Sequence, residues 1–512
     1  MSSRVSQALL LGLLALGSYS NAVTNGFVLD DQRAVLANPC VTGPNSALGC
    51  AFTHDFWGRP GRDVGRTYRP LTVLSFALDR LWGGERAWPF HLTNILLHLA
   101  ATLAVFAFLS ALVPRQQVAA AAATAIFATL AAHTEAVAGI VGRADLLATV
   151  AVAGALALHL RRERPRAFEL VVVPLLCCLG LLAHEVAILA PVFVVCCDWA
   201  TRRRASLPLY AALALVTLAY FGLRLWVMGR LVGPPPDFLN NPAVAASYGE
   251  RALFALASMT RGVSTILFPL DLSAEYGYAA ITVPKGLTMQ VITGLAVTLA
   301  LGAGLLLGRR RSSLLAAGCG LLLFGLVLLS NGPVLMPTAF AERLLYLPSL
   351  GAAMALGGLL EVWSASQRRL RLVAGLCVVV VVANMAIGLH RNRDWRDPVA
   401  LFASAARSCP RSARAQLNLG LALNRFGRHA AAIEPLRRAL TIYPALNVAR
   451  VELGMAHDML GDAPRARALF ERAHREAPTD RWVVESYVTF LLRHHQQQRA
   501  AQVRSESRRP RR

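Results

Sequence analysis

The segment RADLLATVAVAGALALHLRRERPR, residues 143–166, decides how the rest of the chain is read. Residues 144–160 are apolar or small apart from Asp145, Thr149 and His159, and an arginine run closes them. The hydrocarbon core of a bilayer takes roughly 17–25 residues of helix, so this run is long enough to cross it. Short arginine-rich loops stay on the cytoplasmic side. Span 144–160 is therefore entered from outside, at Arg143 and Asp145, and left inside.

Ten further apolar runs lie at 6–22, 89–113, 117–132, 168–182, 186–199, 206–228, 287–307, 312–330, 345–363 and 371–389. Arginine runs at 161–166, 202–204, 309–311 and 368–371 all fall inside when the spans alternate. Stretch 252–268, with Arg261 in its middle, breaks that alternation as a full span. It is read as re-entrant or lying on the outer face. Eleven spans result, with the N-terminus inside and the C-terminus outside. Residues 1–22 (Arg4, an apolar core, then Ser18 to Ala22) are read as a retained first helix, a cleaved signal peptide being the other reading.

Composition agrees. Of 512 residues, 55% are hydrophobic and 16% charged, against about 45–50% and about 25% in soluble domains. Mean hydropathy is +0.47. The formal charge of +23 comes almost wholly from arginine, since Lys285 is the single lysine. In a chain this apolar, that charge is read as loop and tail charge, not as a nucleic-acid surface. Cys177, Cys178, Cys196, Cys197, Cys319 and Cys377 fall in spans, where cysteine acts as a small apolar residue. Cys40 and Cys50 share the first outer loop, where a disulfide is permitted.

The C-terminal part repeats. Pro410, Pro444 and Pro478 are 34 residues apart, as are Gly420 and Gly454, and Gly427 and Gly461. A period of about 34 belongs to tetratricopeptide helix pairs. Two repeats cover 411–478, with a preceding helix at 394–409 and a partial third repeat at 479–495. Stacked pairs of this kind bind peptide or protein on a concave face. The expected organisation is a membrane domain over 1–390 with outer loop 23–88, repeats over 391–495, and a basic disordered tail over 496–512.

The ionisable residues near spans gather on one side. They are Asp30-Asp31 in loop 23–88, His133 and Glu135, Arg143 and Asp145, His184-Glu185, and Glu342-Arg343. Charges at membrane depth are costly and usually mark a site; a structural salt-bridge network is the plainer alternative. Adjacent Asp30 and Asp31 repel, so one has a raised pKa unless it is paired. One of them then suits a general base, or merely caps a helix from Gln32. His184-Glu185 lacks the second histidine of a zinc H-E-x-x-H motif, and no phosphate-binding glycine loop is present. A sugar donor outside the membrane must be a lipid phosphate. Its leaving group needs a cation, which arginine supplies with a two-pronged grip, and its hydroxyl acceptor needs a base.

The quoted residues carry a resemblance. Phe27-Val28-Leu29-Asp30-Asp31, Phe56-Trp57-Gly58, Tyr68-Arg69-Pro70-Leu71-Thr72 and Phe90-His91-Leu92-Thr93-Asn94 come in order. They continue with His133-Thr134-Glu135-Ala136-Val137, Gly142-Arg143-Ala144-Asp145, Glu275-Tyr276-Gly277-Tyr278 and Ala341-Glu342-Arg343, then Trp395 and the repeats. The set resembles the transmembrane and tetratricopeptide-repeat O-mannosyltransferases, which have the GT-C fold.

That resemblance implies an all-α membrane enzyme moving a sugar, by likeness mannose, from a polyprenyl-phosphate donor to a Ser or Thr hydroxyl of an exported protein. It implies Asp30 or Asp31 as base, with Glu135 as a further catalytic residue. It places Arg69, His133, Arg143, Asp145, Glu185, Glu342 and Arg343 around the substrates. The lipid-linked sugar is a co-substrate, and no resident cofactor or metal ligand set is expected. The acceptor would meet the repeats, membrane lipids would surround the spans, and the active face would lie outside a bacterial inner membrane (the ER membrane in a eukaryote). Family members commonly have Lys-Glu where this chain has His184-Glu185. The competing readings are a flippase or transporter of lipid-linked glycans, and a repeat scaffold for envelope proteins.

Overall fold

The structure, a computed structural model, describes residues 3–43, 47–60, 67–161, 166–363 and 367–507. Most of basic run 161–166 and the end of the expected tail lie outside the described residues. The fold is all-α. Among the described residues the only extended pairings are isolated bridges, His54 with Pro60 and Tyr278 with Ile281.

A helix forms at each of the eleven apolar runs. Among the described residues seven helical stretches, Trp88–Leu112, Ile140–Leu160, Arg166–Ala183, Leu207–Met228, Met289–Gly308, Glu342–Trp363 and Arg371–Arg396, are long and apolar enough to cross a membrane. The pair Gln117–Thr129 and Ala131–Ala138, bent by 49°, is an eighth if taken as one span. The chain is thus a multi-pass membrane protein, with fewer full-length spans than the eleven expected. The shortfall lies in Ser3–Tyr19 with 17 residues, Ala190–Thr201 with 12 and Ser313–Leu329 with 17. At 1.5 Å per residue a 12-residue helix reaches only about 18 Å. Run 186–199 falls short because Glu185–Leu189 winds as a tighter 3-10 turn that carries the Glu185 carboxylate.

The connectors sort to two ends. At one end they bond to each other: Thr72 Oγ1 donates to Ala183 O at 2.9 Å, Ala339 N to Asn240 O at 2.9 Å, and Gly26 N to Arg396 O at 2.9 Å. At the other, Gln116 and Ser312 both bond Glu361, and Arg309 stacks on Trp199. The arginine runs 202–204 and 309–311, and the Arg368-side run before the last span, belong to this second end. Every sequence-selected acidic residue belongs to the first. Helix Tyr248–Leu267 also serves the first end, since the Arg261 guanidinium stands 5.7 Å from the Tyr276 ring and 5.9 Å from that of Phe340.

Small residues let the helices close up. A Cβ at Gly351 would stand 2.4 Å from Leu322 N, and one at Gly318 would stand 2.4 Å from Ala355 N. Helices Ser313–Leu329 and Tyr346–Trp363 therefore touch backbone to backbone, as small-residue seams allow in membranes. The first connector is ordered by its own small core. Cys40 and Cys50 form a disulfide, and Phe56, Phe76 and Phe90 pack beside it.

The repeats follow Trp395. Helix Pro398–Ser408 leads into the pairs Ala413–Arg425 with His429–Ile442, and Asn447–Met459 with Ala463–Glu476. Gly427 and Gly461 hold φ +70° and +82° in the turns between paired helices, the left-handed region that glycine enters without a Cβ clash. A third pair, Arg481–Arg493 with Gln497–Ser507, is complete. This corrects the partial third repeat and the disordered tail from 496. Ala500 and Val503 are buried against Tyr487 and its neighbours, and that apolar pair was hidden among charges.

Candidate active site

The turn at Val28–Asp31 is fixed by backbone geometry. Leu29 takes φ +51°, and Asp31 N donates to Val28 O at 3.0 Å. The Asp31 carboxylate is buried and accepts two amides, Val28 N at 3.1 Å and Val141 N at 3.0 Å. It joins the first connector to the wall at 139–142 and caps no helix: the turn from Gln32 receives no bond from its side chain. Burial pushes the Asp31 carboxyl up to about 7, against the pull of the Val28 and Val141 amides, and the charge on Asp30 adds to the rise. Asp30 is half-buried, and its carboxylate has no ion-pair or hydrogen-bond partner among the described residues.

Asp30 and Asp31 line a small, partly open cavity with Leu29, Glu135, Gly139, Val141, Gly142, Arg343 and Trp395. Glu135 and Arg343 face each other in it as an ion pair, and Arg343 N also donates to Glu135 at 3.1 Å. Asp30 and Asp145 are the other acidic neighbours of the Arg343 guanidinium. A carboxylate and an arginine thus meet at one cavity, which joins four separate parts of the chain.

A second charged cluster adjoins it. Glu185 pairs with Arg69 at 2.8 Å and with Arg224 at 2.9 Å. Burial raises the Glu185 carboxyl, but Arg69, His184 and Arg224 outweigh it and hold it well below the usual carboxylate range. His184 stands 3.7 Å from Asp145, whose Oδ1 is buried with no hydrogen-bond partner. Asp145 in turn senses Arg69, Arg343, Glu135 and Glu185. Asp145, His184, Glu185, Arg69 and Arg224 therefore form one charged cluster beside the Glu135–Arg343 pair.

Six of the ten expected site residues do not line the cavity: Arg69, Asp145 and Glu185 belong to the adjoining cluster, and Arg143, His133 and Glu342 to neither. Arg143, expected at the substrate, is fully buried and committed to protein. It pairs with Asp79 at 2.5 Å and donates to Asn94 Oδ1 at 2.8 Å, Ser75 O at 3.0 Å and Phe90 O at 2.8 Å. Asn94 donates onward to Val137 O, Gly139 O and Ile140 O, so Arg143 shapes the cavity wall from behind. His133 sits in an aromatic nest with Phe127 and Tyr346, its Nε2 2.7 Å from Ser349 Oγ. Glu342 turns the other way, accepting from Tyr276 Oη at 2.6 Å and from Ser273 N. The helical period at 342–346 separates it from its neighbour Arg343.

The sequence reading missed Arg224 and gave Trp395 no role. Arg224 interrupts the apolar run 206–228, and an arginine at membrane depth is itself a signal. Trp395 carries no such signal, since its place in the cavity depends on how the segment after the last span folds back. The loop at 275–278 also seats the repeats. Glu275, half-buried before the Tyr276 turn, receives Arg414 Nε at 3.3 Å and Asn418 Nδ2 at 3.4 Å, and Tyr278 packs on Tyr443 at 5.5 Å.

A tetratricopeptide-repeat family model matches residues 384–447. The chain is similar to the protein O-mannosyl-transferase Tmtc1 of Drosophila melanogaster, 30% identical over 88% of this chain and 64% of the relative. It is 44% identical to Tmtc2 of the same organism over 187 residues, 35% of this chain and 20% of that one. It is 27% identical to the protein O-mannosyl-transferase TMTC3 of Mus musculus, over 90% of this chain and 54% of the relative. The chain spans only 54–65% of the length of the relatives that match along most of it. Along most of its length this chain is similar to protein O-mannosyl-transferases, and behind its membrane domain residues 384–447 match a tetratricopeptide-repeat model.

Proposed function

We propose that the chain is an integral-membrane glycosyltransferase that moves mannose from a polyprenyl-phosphate donor to a Ser or Thr hydroxyl of a protein. The observation that carries this reading is the meeting of Asp30 and Arg343 at one cavity. The two aspartates have different parts. Asp31 is spent on the Val28 and Val141 amides and sets the turn. Asp30, with its carboxylate unpartnered, is the base.

In the reaction the Asp30 carboxylate takes the proton of the acceptor hydroxyl. The hydroxyl oxygen then bonds to the anomeric carbon from the face opposite the phosphate. The bond from that carbon to the phosphate oxygen breaks, its electron pair leaves with the polyprenyl phosphate, and the sugar configuration inverts. Arg343 receives the developing phosphate charge, the kind of fixed electrostatic help that lowers such barriers most. Glu135 holds Arg343 in place. The cluster of Asp145, Glu185 and Arg69 adjoins the same pair.

The cavity end and the repeats face away from the cytoplasm in this reading, because the arginine runs gather at the opposite end. An acceptor protein held on the repeats reaches the cavity beside Trp395. Polar groups massed at one end, not at mid-bundle, favour a transferase over a transporter.

The test is turnover of a radiolabelled polyprenyl-phosphate mannose by purified protein with a Ser/Thr peptide. Asp30→Asn should lower kcat at least a hundredfold, the scale of a lost general base, with the fold intact. An inserted, folded D30N protein with full activity would remove Asp30 from the mechanism.

A further inference from the structure

Val28-Leu29-Asp30-Asp31 is a four-residue turn, closed by Asp31 N donating to Val28 O at 3.0 Å. Its second residue, Leu29, has φ +51°. Glycine is the ordinary occupant of such a position, because a Cβ there crowds the backbone. Five non-glycine residues among the described ones have a positive φ, and Leu29 is the one that lines the cavity. Strain of this kind persists only where the surroundings over-determine it, and it gathers at functional sites.

The surroundings of Leu29 are tied on both sides. Before the turn, Gly26 N donates to Arg396 O at 2.9 Å; after it, Asp30 O accepts Arg33 N at 3.1 Å and Ala34 N at 2.9 Å. The Asp31 carboxylate reaches back to Val28 N at 3.1 Å and across to Val141 N at 3.0 Å. The Leu29 side chain packs against the cluster of Val28, Ala138, Trp395 and Leu401. Asp30, between these ties, is left at the cavity as a neighbour of the Arg343 guanidinium.

We propose that Leu29 is a positioning residue, whose left-handed backbone turns the Asp30 carboxylate away from that of Asp31 and holds it at the cavity. This rests on the transferase reading above. A change of φ at Leu29 rotates the chain before it against the chain after it. The Val28 amide and the Asp31 carboxylate then part, and Asp30 moves relative to Arg343. The strained turn lowers stability and fixes the base, the exchange expected where a site needs one geometry.

The assay is turnover of polyprenyl-phosphate mannose with a Ser/Thr peptide by the full-length protein, with kcat, donor KM and melting midpoint read for each variant. Leu29→Val keeps an apolar side chain, but branching at Cβ disfavours the left-handed region. It should lower kcat roughly ten- to a hundredfold, the scale of a reacting group moved by about 1 Å, with donor KM little changed because Arg343 stays in place. Leu29→Gly enters that region freely, so it should lose several-fold less than Leu29→Val although it removes more packing. Added to Asp30→Asn, Leu29→Val should slow the enzyme little further, since both act through one carboxylate; a purely structural defect would add its own loss. A folded L29V protein with wild-type kcat overturns the proposal, as does an L29G protein as slow as L29V. Should L29V not fold, L29G decides alone, and a loss as large as that of D30N overturns it. If wild type transfers no mannose, the transferase reading fails and this inference falls with it, a result distinct from an active wild type that L29V leaves unchanged.

Discussion

Replacing Arg143 with Met separates a structural arginine from a substrate-gripping one. The side chain is fully buried, and its loss strands Asp79 Oδ2, leaving that carboxylate only the Thr93 hydroxyl at 2.8 Å on its other oxygen. Carbonyls of Ser75 and Phe90 and the Asn94 amide oxygen also lose their donor. Breaking one half of a buried pair costs about 3–5 kcal/mol. With about 2–4 °C per kcal/mol in a large domain, R143M should melt on the order of 10 °C below wild type. Adding Asp79→Asn removes the stranded charge, so the double variant should recover part of the loss. The assay is thermal unfolding in detergent, followed by fluorescence, with donor Kd measured below both midpoints. Donor affinity should fall by less than the stability loss alone would suggest, because Arg143 faces away from the cavity. An R143M protein of wild-type stability that no longer bound donor would refute this placement and restore the substrate role expected from sequence.

Three further outcomes can be checked. Asp31 has its carboxyl raised to about 7 by burial; a raised acid favours the protonated folded state, so this contribution to stability is lost as pH rises from about 4 through 7. The gap in melting temperature between wild type and Asp31→Asn should therefore shrink from pH 5 to pH 8, and a constant gap would contradict the burial of this carboxyl. The Cys40–Cys50 disulfide closes a separation of 10 residues, a loop worth about 2–3 kcal/mol; the Cys40→Ser and Cys50→Ser pair should lower the midpoint accordingly, and two free thiols by intact mass in the native wild type would defeat the assignment. Arg414→Ala leaves half-buried Glu275 with Asn418 alone, so limited proteolysis should release the repeats from the membrane domain sooner than in wild type, an effect that Glu275→Gln in the same chain should lessen.

How much of this was legible beforehand varies by element. Asp30, Glu135 and Arg343 were marked by charge beside apolar runs, and the cavity does bring them together. Arg143 and His133 carried the same mark but are spent on Asp79 and Ser349. A sequence shows that a buried charge needs a partner, but not whether that partner is protein or substrate. The tail after 495 was misread because two buried alanine and valine positions, Ala500 and Val503, are too few to rise above the surrounding charge.

The sequence by itself determined the all-α class, the alternation that puts the acidic residues at one end, and the 34-residue repeat. These follow from local quantities: the apolar length of a span, the charge of a short loop, and the period at which glycine and proline recur. Only the tertiary structure decided which aspartate is tied and which is open, that Arg143 props a wall, and that Trp395, from the segment after the last span, lines the cavity. Those outcomes depend on contacts between residues far apart in the chain, 110 positions for Asp31 with Val141 and 49 for Arg143 with Asn94. Packing, not local pattern, chooses among partners of equal chemistry at that separation.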